Sequence, residues 1–316
     1  MKVIVQIPCL NEEQTLHLVL STIPTKIPGV DSIEVLVIDD GSTDKTVEVA
    51  KKFGVKHFVH HARPKGLARS FHDGVLYALE LGADIVVNTD GDNQYPQERI
   101  ADLVQPIIDK KADIVIADRQ VAKIQHFSLG KKLMQKVGTK ILNLAAGTHV
   151  PDAPSGFRAY SRDSIMQLTV VTKFSYAMET IIQAGNKRMT IVSLPVVTNP
   201  KTRESRLFKN SFEHIRKSGS AITRAFIMYR PYVLFVTLGV VLSIAGIIPV
   251  GRFIYFFVFE HGESRGHEQS LIIGAILLIG AFLSFALGVI ADLIRINRTL
   301  TEEMLEQLKH IRFDKK

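Results

Sequence analysis

The chain contains no tryptophan and a single cysteine, Cys9, among its 316 residues. One cysteine excludes an internal disulfide framework and a cysteine-rich zinc site. No glycine-rich loop ends in Gly-Lys-Ser/Thr, and no Gly-x-Gly-x-x-Gly follows an apolar strand. Those absences argue against a P-loop nucleotide hydrolase and a dinucleotide-dependent dehydrogenase. There is no internal repeat and no low-complexity linker. Charged residues make up 22% of the chain against 46% hydrophobic ones, which excludes a disordered polymer. Acidic residues are in deficit, 31 against 39 Lys and Arg, a net charge of +8. That excess suits an anionic partner: nucleic acid, a membrane surface or a phosphate substrate. The basic residues of the first two hundred positions are not interleaved with aromatics, so nucleic acid is unsupported. The apolar run at residues 1–8 is too short for a secretory signal and stops at Pro8, so the chain is expected to start in the cytosol.

What the sequence has in abundance is apolar length near its C-terminus. Residues 232–251 and 271–291 are runs of 20 and 21 uncharged residues. Each is long enough to cross a hydrocarbon core of about 30 Å as a helix. Mean hydropathy is +0.15, high for a wholly soluble protein. Arg216, Lys217, Arg224 and Arg230 precede the pair and Arg295 and Arg298 follow it, against Arg252 and Arg265 on the loop side. The positive-inside rule then predicts both termini in the cytosol. Two basic amphipathic stretches, 129–145 and 207–230, are expected to lie in or beside the membrane interface. The expected organisation is a cytosolic domain over 1–206, a juxtamembrane helix over 207–231, a transmembrane hairpin within 232–294 and a cytosolic tail over 295–316.

The first part alternates short apolar runs with helical patterns. Strands are predicted at 3–8, 33–39, 57–61, 84–89 and 113–117. Helices are predicted at 12–20, 43–53 with Ser42 or Thr43 as N-cap, 67–81, 97–110 with a kink at Pro106, and along 129–145. Repeated β–α units imply a doubly wound, mostly parallel α/β sheet, with ligands at the carboxyl ends of its strands. Two acidic clusters fall on that edge: Asp39-Asp40-Gly41-Ser42-Thr43-Asp44 and Asp90-Gly91-Asp92-Asn93-Gln94. Crowded carboxylates call for a cation, and oxygen donors without His or Cys suit Mg²⁺ or Mn²⁺.

Asn11-Glu12-Glu13, Asp39-Asp40-Gly41-Ser42, Asp90-Gly91-Asp92 and Ser155-Gly156-Phe157-Arg158 together resemble the inverting glycosyltransferases of family 2. Within it the chain is similar to the dolichol-phosphate mannose synthase and polyprenyl-phosphate glycosyltransferase branch, over residues 1 to about 210. The resemblance implies a GT-A-type, Rossmann-like nucleotide-sugar domain. It implies that Pro8, Leu10, Asn11, Glu12 and Asp39 hold the nucleotide. Asp90, Asp92 and Gln94 would hold Mg²⁺ or Mn²⁺ with the donor diphosphate. Arg119 would grip phosphate, and Ser155, Gly156 and Arg158 would lie near sugar and acceptor. Arg203 and Arg206 fall in a stretch that departs from the family's Arg-x-x-Gly-x-Ser-Lys-Leu pattern. Lys131 is a further acceptor contact and Glu179 a further catalytic acid.

The expected reaction is inverting transfer of a sugar from a UDP- or GDP-sugar to an undecaprenyl or dolichyl phosphate. The alternative is a hydroxyl acceptor such as a glycerolipid or membrane glycan. A processive polysaccharide synthase would need a Gln-x-x-Arg-Trp signature, impossible without tryptophan. A non-catalytic nucleotide-binding scaffold is a further reading, opposed by the intact Asp90-Gly91-Asp92. Partners are therefore a nucleotide-sugar, a lipid phosphate and the membrane, with assembly into homo-oligomers through the spans.

Overall fold

A computed structural model describes residues 1–120, 129–170, 176–200, 231–259 and 268–313. The chain divides into two units, 1–223 with 302–316, and 224–301.

The first unit is built on a seven-stranded sheet. In chain order its described elements are β1 (Lys2–Cys9), α1 (Leu16–Thr22), β2 (Ser32–Asp39), α2 (Thr46–Lys52), β3 (His57–His60), α3 (Leu67–Glu80) and β4 (Ile85–Asn88). Then come a single 3-10 turn (Gln97–Arg99), α4 (Ile100–Ile108), β5 (Ile114–Asp118), α5 (Leu129–Ala146), β6 (Arg158–Ser161), α6 (Arg162–Gln167), α7 (Tyr176–Asn186) and β7 (Ile191–Pro195). The spatial order is β3-β2-β1-β4-β6-β5-β7. All neighbours are parallel except β6, which runs antiparallel between β4 and β5. The expected α/β, mostly parallel sheet is thus observed.

The strands are apolar because both faces are covered. Along β1, Val3, Val5 and Ile7 join a core with Leu16 and Val19 of α1 and Leu103, Val104 and Ile107 of α4. The other face receives α3, which approaches closely at Gly74. A Cβ there would lie 2.6 Å from Gln6 Oε1 and 2.8 Å from Ile38 Cδ1.

Two helix starts differ from expectation. The helix expected at 12–20 begins at Leu16, and the one expected at 43–53 begins at Thr46 with Lys45 before it and no side-chain cap. The intended caps are used elsewhere. Asn11 N–H donates to Ser42 Oγ (2.9 Å), and Thr43 N–H donates to Asn11 Oδ1 (2.8 Å). Asp44 takes the capping part, accepting the Thr46 N–H at 3.0 Å. The region 97–110 is a 3-10 turn followed by α4, with Pro106 inside that helix.

The second unit holds α8 (Pro231–Phe259) and most of α9 (Glu268–Phe313), of 29 and 46 residues. Both are apolar enough to cross a bilayer, and only 11% and 22% of their most apolar windows are buried. Core helices of a soluble protein would be mostly buried, so the exposed apolar surface fits a lipid surround. Glycines let the two helices meet. A Cβ on Gly246 would lie 3.1 Å from Gly274 O, one on Gly274 would lie 3.0 Å from Gly246 O, and one on Gly239 would fall 2.6 Å from the Phe285 ring. Ser284 Oγ adds a hydrogen bond to Phe235 O at 2.8 Å. The helix of the second apolar run, α9, continues without a break through the expected tail to Phe313. The juxtamembrane stretch expected at 207–230 lies outside the described residues.

Candidate active site

The parallel triplet β2-β1-β4 brings three loops to one edge. Cys9 pairs in register with Asp39, and Gln6 with Asn88. The residues that follow, Leu10–Glu12, Asp40–Asp44 and Asp90–Gln94, therefore emerge side by side.

The first two loops are stitched together. Besides the Asn11 bonds to Ser42 and Thr43, Glu12 N–H donates to Thr46 Oγ1 at 2.7 Å and Glu13 N–H to Asp44 Oδ2 at 3.1 Å. Asn11 adopts φ 56°, a left-handed conformation that Asn tolerates. Asp39 is buried, accepting the Ser42 N–H at 2.9 Å and lying 3.4 Å from His60 Nδ1. Of the residues expected to hold a nucleotide, Asn11, Asp39 and the half-buried Leu10 meet at this edge. Pro8 is interior to β1. Glu12 is only 6% exposed, its Oε2 lying 2.9 Å from the Thr15 hydroxyl. These two shape the loop from within.

The third loop lies against the first. A Cβ on Gly91 would come 3.1 Å from Cys9 Sγ and 3.2 Å from Glu12 Cγ, so any larger residue between Asp90 and Asp92 would press on both. Asp92 Oδ1 accepts the Gln94 N–H at 3.1 Å, and Asn93 has φ 58°. Asn199 clasps the loop from outside, its N–H donating to Gln94 O at 2.9 Å and its side chain to Asn93 O at 3.1 Å. Burial, with Glu12, Asp39 and Asp90 nearby, holds the Cys9 thiol well above its ordinary pKa. Cys9 is thus no nucleophile. Ellman's reagent is expected to leave it unmodified at pH 8 in the folded protein and to titrate about one thiol in denaturant.

Asp90 faces the Ser155–Gly156 turn. A Cβ on Gly156 would lie 3.2 Å from Asp90 Oδ2 and 3.0 Å from the Tyr176 hydroxyl. Gly156 N–H donates to Tyr95 Oη at 3.0 Å, and its carbonyl accepts from Asn88 Nδ2 at 2.8 Å. Asn88 also binds Tyr176 Oη at 2.9 Å and Gln6 at 3.0 Å. Burial, with the Asp90 charge adding to it, pushes the Tyr95 hydroxyl up to about 12 and keeps Tyr176 protonated as well. Sequence reasoning missed Gln6, Asn88, Tyr95, Tyr176 and Asn199. The available signal was a polar residue inside an otherwise apolar strand, as in Val-Ile-Val-Gln-Ile and Ile-Val-Val-Asn.

Three residues of the expected site have partners within the domain. Arg119 was expected to grip a phosphate, but it is paired side-on with Asp152. Nε lies 2.7 Å from Oδ2 and Nη2 lies 2.9 Å from Oδ1, with the Arg119 side chain 12% and Asp152 1% exposed. Burial opposes its charge, but Tyr95, Asp152 and Asp90 outweigh it and raise its pKa. Gln135 of α5 donates to the same carboxylate at 3.0 Å. Arg158 was expected near the sugar, but it is fully buried and donates to Ser155 O, Ala177 O, Ala153 O and Thr180 Oγ1 at 2.6–3.0 Å. It holds the Ser155 turn in place. Glu179 is 3% exposed on α7. Ser155 is buried, and its Oγ has no partner among the described residues. Arg203 and Arg206 lie outside the described residues, and α5 carries Lys131.

Asp90, Asp92 and Gln94 offer oxygen donors only. No group of three or more His, Cys, Asp and Glu that could hold a metal forms among the described residues. Two carboxylates on one turn, backed by a glycine surface, fit a hard divalent ion that completes its shell with substrate phosphates and water.

Residues 4–169 match the sequence model of Glycosyl transferase family 2. The chain belongs to this family. It is 27% identical over 206 residues to an undecaprenyl-phosphate mannosyltransferase of Micrococcus luteus, covering 62% of this chain and 83% of that one. It is 25% identical over 228 residues to the polyprenol monophosphomannose synthase of Mycolicibacterium smegmatis, covering 69% and 84%. These similarities lie in the polyprenyl-phosphate branch of the family. Among solved structures, glucosyl-3-phosphoglycerate synthase of Mycobacterium tuberculosis, crystallised with Mn²⁺, UDP and phosphoglyceric acid, superposes with a TM-score of 0.53. At 21% identity, covering 72% of this chain and 77% of that one, it establishes the shared GT-A-like fold.

Proposed function

We propose that this chain is a membrane-anchored, inverting glycosyltransferase that moves a hexose from a UDP- or GDP-sugar to a polyprenyl phosphate at the cytosolic leaflet. The observation that carries the reading is the Asp90-Gly91-Asp92 turn beside Asp39 and Asn11, in a chain that continues into two long, exposed apolar helices. The relatives named for undecaprenyl-phosphate, polyprenol and, at 27% identity over 213 residues, dolichyl-phosphate transfer in Methanococcus voltae support the acceptor class.

The donor's base and ribose would sit at Asn11 and Asp39, and its diphosphate at Asp90 and Asp92. Asp90, Asp92 and Gln94 would hold a divalent ion, which when bound would supply neutralising charge at the diphosphate. Tyr95, Asn88 and Arg158 keep the Ser155–Gly156 turn against Asp90. An acceptor phosphate oxygen attacks the anomeric carbon on the face opposite the leaving group; the new bond is C–O–P, and the nucleoside diphosphate leaves with the electron pair. A phosphomonoester has a second pKa of about 6, so the nucleophile is already ionised and needs no base. With Arg119 committed to Asp152, the acceptor phosphate falls to Arg203, Arg206 and Lys131.

The test is transfer from radiolabelled UDP- and GDP-sugars, with Mn²⁺ or Mg²⁺, to undecaprenyl phosphate by the purified full-length protein. Acid-labile labelled lipid is the expected product and names the donor. Label in a glycerolipid instead would move the acceptor to a hydroxyl, and binding without turnover would leave only a scaffold.

A further inference from the structure

The last turns of α9 belong to the first unit, where they bind the side of the domain formed by α6 and α7. Lys309 Nζ donates to the carbonyls of Met166 (3.1 Å) and Leu168 (2.5 Å), the open C-terminal end of α6. Lys187, just beyond α7, pairs with Glu306 at 2.6 Å. Arg312 pairs with Glu80 of α3, and Arg162 donates to Phe313 O. Phe313 is 8% exposed.

From this contact two sets of hydrogen bonds, joined through α7, lead to the site. Thr169, 3.5 Å from Lys309 Nζ through its hydroxyl, exchanges both backbone bonds with Gln183 of α7: its N–H donates to Oε1 at 2.8 Å and its carbonyl accepts from Nε2 at 2.5 Å. One turn back on α7, Thr180 Oγ1 and Ala177 O receive the Arg158 guanidinium, which also binds Ser155 O at 2.7 Å. Ser155 begins the turn that faces Asp90.

We propose that Lys309 is a positioning residue for glycosyl transfer: the terminal turns of α9 strap α6 to α7 and thereby hold the Ser155–Gly156 turn against Asp90. The inference rests on the site reading above and adds to it a segment more than a hundred residues away in sequence. Direct contact with substrate is not required, because the part-buried Lys309 bonds and the buried bonds of Gln183 and Arg158 act on packed elements. A surface lysine would not be held this way. Burial, with Lys187 adding to it and Glu306 opposing, brings the Lys309 pKa down to about 8. Released from the domain it would return to about 10.4. Between those values docking sheds a proton, so the strap tightens as pH rises from 8 towards 10 and shows no such dependence below 8.

The test uses full-length protein in lipid–detergent micelles, with initial rates of transfer to undecaprenyl phosphate. Lys309→Met is expected to lower kcat about tenfold with donor KM within about twofold, and Lys309→Arg, which keeps a cationic donor, to restore most of it. Gln183→Ala is expected to lose a similar factor. The double variant should lose no more than the worse single one, because both cut the same set of bonds. Unchanged kcat in Lys309→Met, or losses that multiply in the double variant, would overturn the proposal. Should Lys309→Met fail to fold, Lys309→Gln carries the same expectation. A wild type inactive on every phosphate lipid sinks the functional reading itself, whereas an active wild type with unaffected variants sinks only the role of Lys309.

Discussion

Asp92→Ala is expected to lower glycosyl transfer about a thousandfold, the loss of roughly 4 kcal/mol of transition-state charge stabilisation. Its carboxylate sits on a half-exposed turn and accepts the Gln94 N–H. A half-exposed turn position contributes little to stability, and the unfolding midpoint should move by no more than about 2 °C. Asp92→Asn retains an oxygen acceptor for the turn but loses the charge, so it should fold as the wild type does and remain nearly as inactive as Asp92→Ala. A variant within tenfold of wild type at saturating Mn²⁺ would show that this carboxylate holds neither ion nor diphosphate.

The Arg158→Met substitution has its main effect on stability. The guanidinium is fully buried and satisfies the carbonyls of Ala153, Ser155 and Ala177 as well as the Thr180 hydroxyl. Methionine fills much of the volume but leaves these acceptors dry. At about 1–3 kcal/mol per stranded group, partly relieved by relaxation, a loss of about 4 kcal/mol is expected. The midpoint of the catalytic unit should fall by about 10 °C, and Arg158→Lys, with one nitrogen for several carbonyls, should recover only part of it. A residue that only touched the sugar would leave the midpoint unchanged and raise KM. Calorimetry and kinetics on the same variant thus separate the two roles.

Much of this architecture was legible in residue order. Five strand positions, the apolar hairpin and the pairing of acidic clusters with strand ends follow from periodicity and run length, which are local properties. The β6 strand did not stand out: Arg158–Ser161 is short, starts with a charged residue and gains its strand character only from pairing on both sides with β4 and β5. The helix starts at Leu16 and Thr46 were equally hidden. Ser42 and Thr43 look like local caps, but they bond with Asn11 across two loops that are adjacent only because β1 and β2 are paired.

The sequence by itself determined the class of chemistry, because carboxylates spaced by one glycine after an apolar strand carry their meaning in their order. It also determined the two long apolar helices, because length without charge is enough. The tertiary structure alone decided which partners the arginines have within the domain. Arg119 and Arg158 read as phosphate and sugar contacts in a linear pattern, and each has partners inside the domain, Arg119 in Asp152, 33 residues away, and Arg158 in α7 and its own loop. A buried cation must be matched where it lies, and that match is made by packing, which residue order does not display.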